Sequence, residues 1–326
     1  MAQDGEFALI ARIAHHLTGA GDDAAVLDLG GAPVVVAADA VVRGRHWLDA
    51  LSSPDDVGWK ALAVNLSDLA AMGDVRPRAA LVTLLLSADL DAAYVDGLYE
   101  GLAEAAAAAG VELVGGDTTA APEAALAVTI LGQSRAEPVW RSGARAGDRM
   151  VLVGGLGAAA AALAQHGAGL APDAALLDAH RRPVPLGAAG AALAAHGARA
   201  LIDISDGLGQ DAAHVCRASG VRAVLAWDRL PLAAGVAEAA DSLGADPVAL
   251  ACGGGEDYAL LAAVPAERAE EAAAAAARTQ GVPAAVVGDW VEASPGAPIV
   301  ELLHDGARRD IAALGFDHFD HFGEQR

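Results

Sequence analysis

The sequence predicts an α/β protein, of mixed α+β character, in two domains. Three observations carry this. The chain has 326 residues, about twice a typical domain. Short β-branched runs alternate with Ala-rich helical stretches in both halves. A polar, turn-rich break at 137–148, with Glu137-Pro138 and then Arg141-Ser142-Gly143-Ala144, separates the halves. The expected domains are 1–137 and 138–326.

The elements follow in order. Residues 33–38 are a β-branched run expected as a strand ending at Asp39. Pro54 opens a helix capped at Ser52 or Ser53 and stopped by Gly73. Residues 79–86 are a strand, and 91–109 a helix ended by Gly110. Strands at 111–114 and 125–132 flank Gly115-Gly116-Asp117-Thr118-Thr119. The second half gives strands at 149–153, 200–204, 222–226, 258–264 and 284–288 and helices at 207–219 and 266–279. Between 155 and 197 the chain is nearly all Ala, Gly and Leu, so helix ends there are poorly marked.

Composition excludes several functions. Acids outnumber bases 43 to 21, a net charge of -22, which argues against binding nucleic-acid backbones or anionic membranes. Lys60 is the sole lysine and lies in Gly58-Trp59-Lys60-Ala61, so there is no Walker A loop, and no signature marks it for Schiff-base chemistry. Cys216 and Cys252 form no CxxC pair, as expected of a reduced, cytoplasmic protein. The N-terminal residues lack a signal-peptide pattern, and no apolar run reaches the ~18 residues of a membrane span.

Most acids fall on helix faces, where they are solvated. A smaller set sits in turns or at expected strand ends: Asp22-Asp23, Asp39, Asp68, Asp117, Asp203, Asp206 and Glu256-Asp257. Each alone is an ordinary turn former. Grouped beside glycines and without nearby bases, they call for a hard cation such as Mg²⁺, which shares its shell with phosphates. Two glycine segments, Gly115-Gly116-Asp117 and Gly253-Gly254-Gly255-Glu256-Asp257, would let backbone approach a ligand closely. A third, Gly155-Leu156-Gly157 followed by Ala158-Ala159-Ala160, fits a dinucleotide-binding loop, with Asp173 or Asp178 at the distance of a ribose acid; a tight strand-to-helix turn fits equally. His46, between Arg45 and Trp47, is a ligand candidate; His15-His16 is expected at the surface, and His318 and His321 in a packed terminal segment.

These segments, in order over nearly the whole chain, resemble the thiamine-monophosphate kinase family, within the aminoimidazole ribonucleotide synthetase-like superfamily. The resemblance runs through Gly5-Glu6-Phe7, Gly21-Asp22-Asp23, Asp39 to Trp47, Asn65-Leu66-Ser67-Asp68 to Gly73, Gly115-Gly116-Asp117-Thr118-Thr119, Arg141-Ser142-Gly143, Asp203-Ile204-Ser205-Asp206-Gly207-Leu208, Gly254-Gly255-Glu256-Asp257-Tyr258 and Gly315-Phe316-Asp317. It implies the two-domain fold of that superfamily and a cytoplasmic homodimer formed through the N-terminal domain. It implies Mg²⁺-dependent, direct transfer of the ATP γ-phosphoryl group to thiamine phosphate, giving thiamine diphosphate and ADP.

By matching motif, Asp23, Asp39, Asp68, Asp117, Asp203 and Asp206 would hold several Mg²⁺ ions, with the Ala38 carbonyl as a further ligand. Gly116, Asp117, Arg141, Ser205 and Tyr99 would contact ATP. His46, Glu256 and Phe316 would contact the thiamine substrate, Glu256 by attraction to the thiazolium and Phe316 by stacking on the pyrimidine. No acid–base residue is implied, since the acceptor phosphate is already ionised near neutral pH. One departure is that Ala37-Ala38 stands where the family has Ser-Thr, which implies an altered metal shell. The alternatives are another ATP-dependent enzyme of the superfamily, a Rossmann-type oxidoreductase built on Gly155 to Ala160, and a non-enzymatic metal-dependent interaction protein.

Overall fold

The computed structural model describes residues 10, 12, 13, 16, 17 and 21–316, and each half of the chain builds its own sheet. Gly5, Glu6, Phe7, His15, Asp317, His318 and His321 lie outside the described residues. His16 is exposed, as expected of a surface histidine.

The first sheet has the order β1-β2-β5-β3-β4, from β1 (Ala25–Leu27), β2 (Val34–Val42), β3 (Val75–Leu86), β4 (Glu112–Ala120) and β5 (Ala125–Ser134). All its pairs are antiparallel except β3 with β4. Two expectations change here. Asp39 lies inside β2, paired with Val128, because Ala40-Val41-Val42 continue the pairing with β5. Gly115 to Thr119 form no loop: they continue β4 in register with β3. Gly116 is required there, since a Cβ would lie 1.7 Å from the Val82 carbonyl oxygen.

Two helices cover this sheet, α1 (Pro54–Ala71) and α2 (Ala92–Ala109). Ser53 caps α1, its N–H and Oγ both donating to Asp56, and Asp91 caps α2 by accepting from the Tyr94 N–H. The helices cross at glycines: a Cβ on Gly58 would meet the Leu98 carbonyl oxygen at 1.9 Å, and one on Gly101 the Asp55 oxygen at 1.8 Å. Helix α1 is buried on nearly all sides, including Lys60, Asn65 and Ser67, because the C-terminal half packs on its other face.

The second sheet has the order β12-β11-β8-β10-β6-β9-β7. Its strands are β6 (Arg149–Val153), β7 (Ala200–Ile204), β8 (Val221–Ala226), β9 (Ala259–Val264), β10 (Ala284–Glu292), β11 (Val300–His304) and β12 (Ala307–Asp310). Helices α3 (Ala158–Gly167), α4 (Ala174–Arg181), α5 (Gly187–Ala195), α6 (Leu208–Ser219), α7 (Val236–Leu243), α8 (Pro247–Gly253) and α9 (Ala269–Gln280) complete this half. Strands β6 and β9 carry Val151, Val153, Leu260 and Ala262 into a core shared with Ala70 and Ala71 of α1, so the two halves meet through α1 and α5.

The dinucleotide alternative fails on this topology. Both neighbours of β6 run antiparallel to it, so no βαβ unit follows the glycine loop. The start of α3 is occupied by the protein's own carboxylate, the Gly157 N–H donating to Asp257 Oδ1 at 2.8 Å. Asp173 accepts from the N–H groups of Ala175 and Leu176 as the cap of α4.

Candidate active site

The ends of both sheets and the start of α6 enclose a cleft of about 460 Å³ between the two halves. It gathers Asp39, His46, Arg141, Ser205, Asp206, Glu256 and Phe316 from the expected set, and adds Asp22, Arg45, Asp211, His214 and Tyr258.

Three carboxylates converge from three elements. Asp23 precedes β1, Asp68 lies on α1, and Asp203 on β7, and their oxygens come within 4.8 Å of one another. Burial raises Asp203 to about 8, helped by the charge of Asp23 and opposed by the Ser67 hydroxyl, which donates to Oδ2 at 2.6 Å. Burial, then Asp203, Asp39 and Asp23, push Asp68 well above the usual carboxylate range. Asp23 Oδ2 is buried without a hydrogen-bond partner. Carboxylates crowded this way repel unless protonated or bridged by a cation. An all-oxygen donor set with one oxygen orphaned fits Mg²⁺.

Asp39 is fixed from behind: its N–H donates to Asn65 Oδ1 at 3.0 Å, and the Asn65 amide donates to the Ala61 carbonyl. Strand alternation places the Ala38 methyl on the face opposite the Asp39 side chain. Arg141 lines the cleft with its guanidinium paired to Asp23, while its N–H donates to Asp22 Oδ1 at 2.6 Å.

Asp206 and Ser205 form the turn into α6. The Asp206 and Gly207 N–H groups donate to Asp211, which has a carboxylate oxygen near one of Asp206 and near a ring nitrogen of His214. Gln210 donates to Asp206 Oδ2, and the Phe316 N–H donates to the Asp206 carbonyl at 2.9 Å, which brings the chain's end to the cleft.

His46 also lines the cleft, and its Nδ1 accepts from the Val42 N–H. Glu256 faces the cleft, but its carboxylate is already engaged, by Lys60 at 2.6 Å and His180 at 2.9 Å. Burial acts to raise its pKa, yet Lys60 and His180 prevail and lower it to about 2. Glu256, expected from the resemblance to attract a thiazolium, thus reaches the cleft already paired with a lysine of the protein itself.

Seven expected residues do not line this cleft: Asp23, Asp68 and Asp203, which form the cluster joined to it through Arg141, Ala38 on β2, and Gly116, Asp117 and Tyr99. Gly116 and Asp117 lie on exposed β4, three strands from β2, roughly 14 Å at ordinary strand spacing. Tyr99 is 40% exposed on α2. Sequence reasoning missed Ser67, Asn65, Lys60, His180 and Asp211 as site residues. Ser67 and Asn65 stood inside a quoted motif; nothing local marks His180.

The family models agree with this architecture. Residues 21–134 match the N-terminal domain of AIR synthase related proteins, and 145–301 the C-terminal domain. Fold and site thus define an AIR synthase-related protein. The thiamine-monophosphate kinase of Mycobacterium tuberculosis is 42% identical over 276 residues, covering 80% of this chain and 81% of the relative. That of Salmonella typhimurium is 34% identical over 97% of this chain and 98% of its own. Among solved structures, AaThiL complexed with AMPPCP and TMP is similar with a TM-score of 0.85 at 30% identity, covering 98% of each chain. The chain belongs to the thiamine-monophosphate kinase family. Hydrogenase maturation protein HypE, at 23% identity and a TM-score of 0.73, shares the fold.

Proposed function

We propose that this chain transfers the γ-phosphoryl group of ATP directly to thiamine phosphate, forming thiamine diphosphate and ADP, in thiamine diphosphate biosynthesis. The observation that carries the proposal is the convergence of Asp23, Asp68 and Asp203, joined through the Asp23–Arg141 pair to a cleft that His46 and Glu256 also line. Mg²⁺ bound there would supply neutralisation of phosphate charge. Asp23, Asp68 and Asp203 would hold it, with Asp39 and Asp206 at the rim.

Arg141 is placed to exchange its contact with Asp23 for one with a phosphate, presenting a fixed two-pronged donor. Ser205 and Asp206 orient the donor end through the turn stiffened by Asp211. His46, Glu256 and Phe316 bind the acceptor. No side chain removes a proton, since the acceptor phosphate is ionised at neutral pH. The reaction then depends on alignment and charge neutralisation.

Gly116, Asp117 and Tyr99 belong to the same reading as a nucleotide-side patch completed in a homodimer. Two features support it: β4 is an exposed sheet edge, and Leu81 and Val114 are exposed on that sheet. The division at 137/138, with the ATP and metal ligands mainly before it, is part of the proposal. So is a cytoplasmic location, supported by free, buried Cys216 and Cys252. Among the described residues no helix is long and apolar enough to cross a membrane.

The test is chromatographic detection of product from Mg·ATP and thiamine phosphate, with wild type beside Asp68→Asn and Asp206→Asn. Thiamine diphosphate and ADP from the wild type, lost in both variants, is the expected result. ATP binding without thiamine diphosphate would refute the substrate assignment.

A further inference from the structure

Lys60, the only lysine in 326 residues, is buried in α1 at the interface of the two halves. Its Nζ donates to the His46 carbonyl at 2.8 Å and pairs with Glu256 Oε1 at 2.6 Å. One ammonium therefore ties together the two polar residues assigned to the acceptor side. His180 on α4, 2% exposed, completes the arrangement: its Nδ1 lies 2.9 Å from Glu256 Oε2, so the Nδ1–H donates to the carboxylate.

Glu256 occupies an uncommon backbone. Its φ is 59°, and Tyr258 follows at 47°. The loop is pinned to the end of β7, the Glu256 N–H donating to the Ser205 carbonyl at 2.7 Å and the Tyr258 N–H to that of Ile204. Backbone pins and two side-chain partners thus fix one carboxylate that is 19% exposed at the cleft. A lone structural ion pair would need neither the strained loop nor the shared hold on His46.

We propose that Lys60 and His180 are positioning residues for the acceptor side, setting Glu256 and His46 so that Glu256 meets the substrate as an oriented hydrogen-bond acceptor whose charge is already balanced. This rests on the reading of Glu256 and His46 as acceptor contacts. Its ligand is then a neutral N–H donor, such as the aminopyrimidine, in preference to the thiazolium cation.

The test compares wild type with Lys60→Met, His180→Gln and the double variant Lys60→Met/Glu256→Gln. The double variant removes both buried charges, so it folds even where the lysine change alone leaves Glu256 unpaired. The measurements are thermal midpoint, kcat, and KM for each substrate. Expected for Lys60→Met and the double variant is a tenfold or larger rise in KM for thiamine phosphate, with KM for ATP within twofold. His180→Gln shifts the same parameter by less. In the double variant the thermal midpoint returns toward wild type while the KM stays raised. Recovery of both together, or equal rises in the two KM values, would overturn the proposal. A wild type that fails to phosphorylate thiamine phosphate would overturn the functional reading itself; an unchanged KM for thiamine phosphate in the double variant would overturn Glu256 as an acceptor contact, and an unchanged KM in folded Lys60→Met would overturn only the positioning role.

Discussion

Ser67 offers the sharpest probe of the carboxylate cluster. Its hydroxyl donates to Asp203 Oδ2 at 2.6 Å, with both residues buried. A hydrogen bond to a buried charge contributes roughly 1.5–3 kcal/mol. At about 1.4 kcal/mol per pKa unit, Ser67→Ala should raise Asp203 by roughly one to two units above its value of about 8. Metal and proton compete for the same oxygens, so below pH 8 the variant should need roughly 10- to 100-fold more Mg²⁺. The gap should close as pH rises past 8, because the wild-type carboxylate is then ionised while the variant's is still ionising. Calorimetric Mg²⁺ titrations at pH 6.5, 7.5 and 8.5, beside half-saturation of ADP release, measure this. Ser67→Thr keeps the hydroxyl and should stay near wild type. Equal Mg²⁺ requirements at every pH, or a gap that widens with pH, would refute the argument.

In chelator, the protein should lose stability as pH rises from about 4 to 8, since Asp203 binds its proton more tightly folded (about 8) than unfolded; Mg²⁺ should raise the melting temperature most at the alkaline end, and a metal-free melting temperature that climbs across this window would contradict the cluster's electrostatics. Glu256 works in the opposite sense, its folded pKa being depressed to about 2, so its contribution is lost only as pH falls below about 4.5. Gly101→Ala drives a methyl into the Asp55 carbonyl, and overpacking of roughly 1–3 kcal/mol should lower the melting temperature by roughly 3–10 °C, as differential scanning calorimetry would show. Ala38→Thr should leave the Mg²⁺ dependence of activity within twofold of wild type, because its side chain lies on the sheet face away from Asp39; a severalfold tighter Mg²⁺ requirement would place the hydroxyl in the metal shell after all.

Much of the fold was legible because its signals are local. Asp91 and Gly110 bound α2, Gly220 ends α6, and β-branched runs mark β2, β7 and β8. The errors were local too. Asp39 and the Gly115-Gly116 pair were assigned to strand ends because acids and glycines usually break strands. Register with β5 and β3 carries the strands through them. Short β11 and β12 escaped notice, since Ala307-Arg308-Arg309-Asp310 has no apolar alternation and is a strand only through pairing with β11.

The sequence by itself determined the two-part α/β character, the excess of acids in place of lysines, and the family to which the motifs belong. Each of these depends on neighbours within a few residues or on composition. Tertiary structure alone decided what each charge faces. Ser67 meets Asp203 across 136 positions, Lys60 reaches Glu256 from the other half of the chain, and Asp257 fills the helix start that mimicked a dinucleotide loop. Burial makes such pairings strong, and burial exists only once the two sheets close on α1.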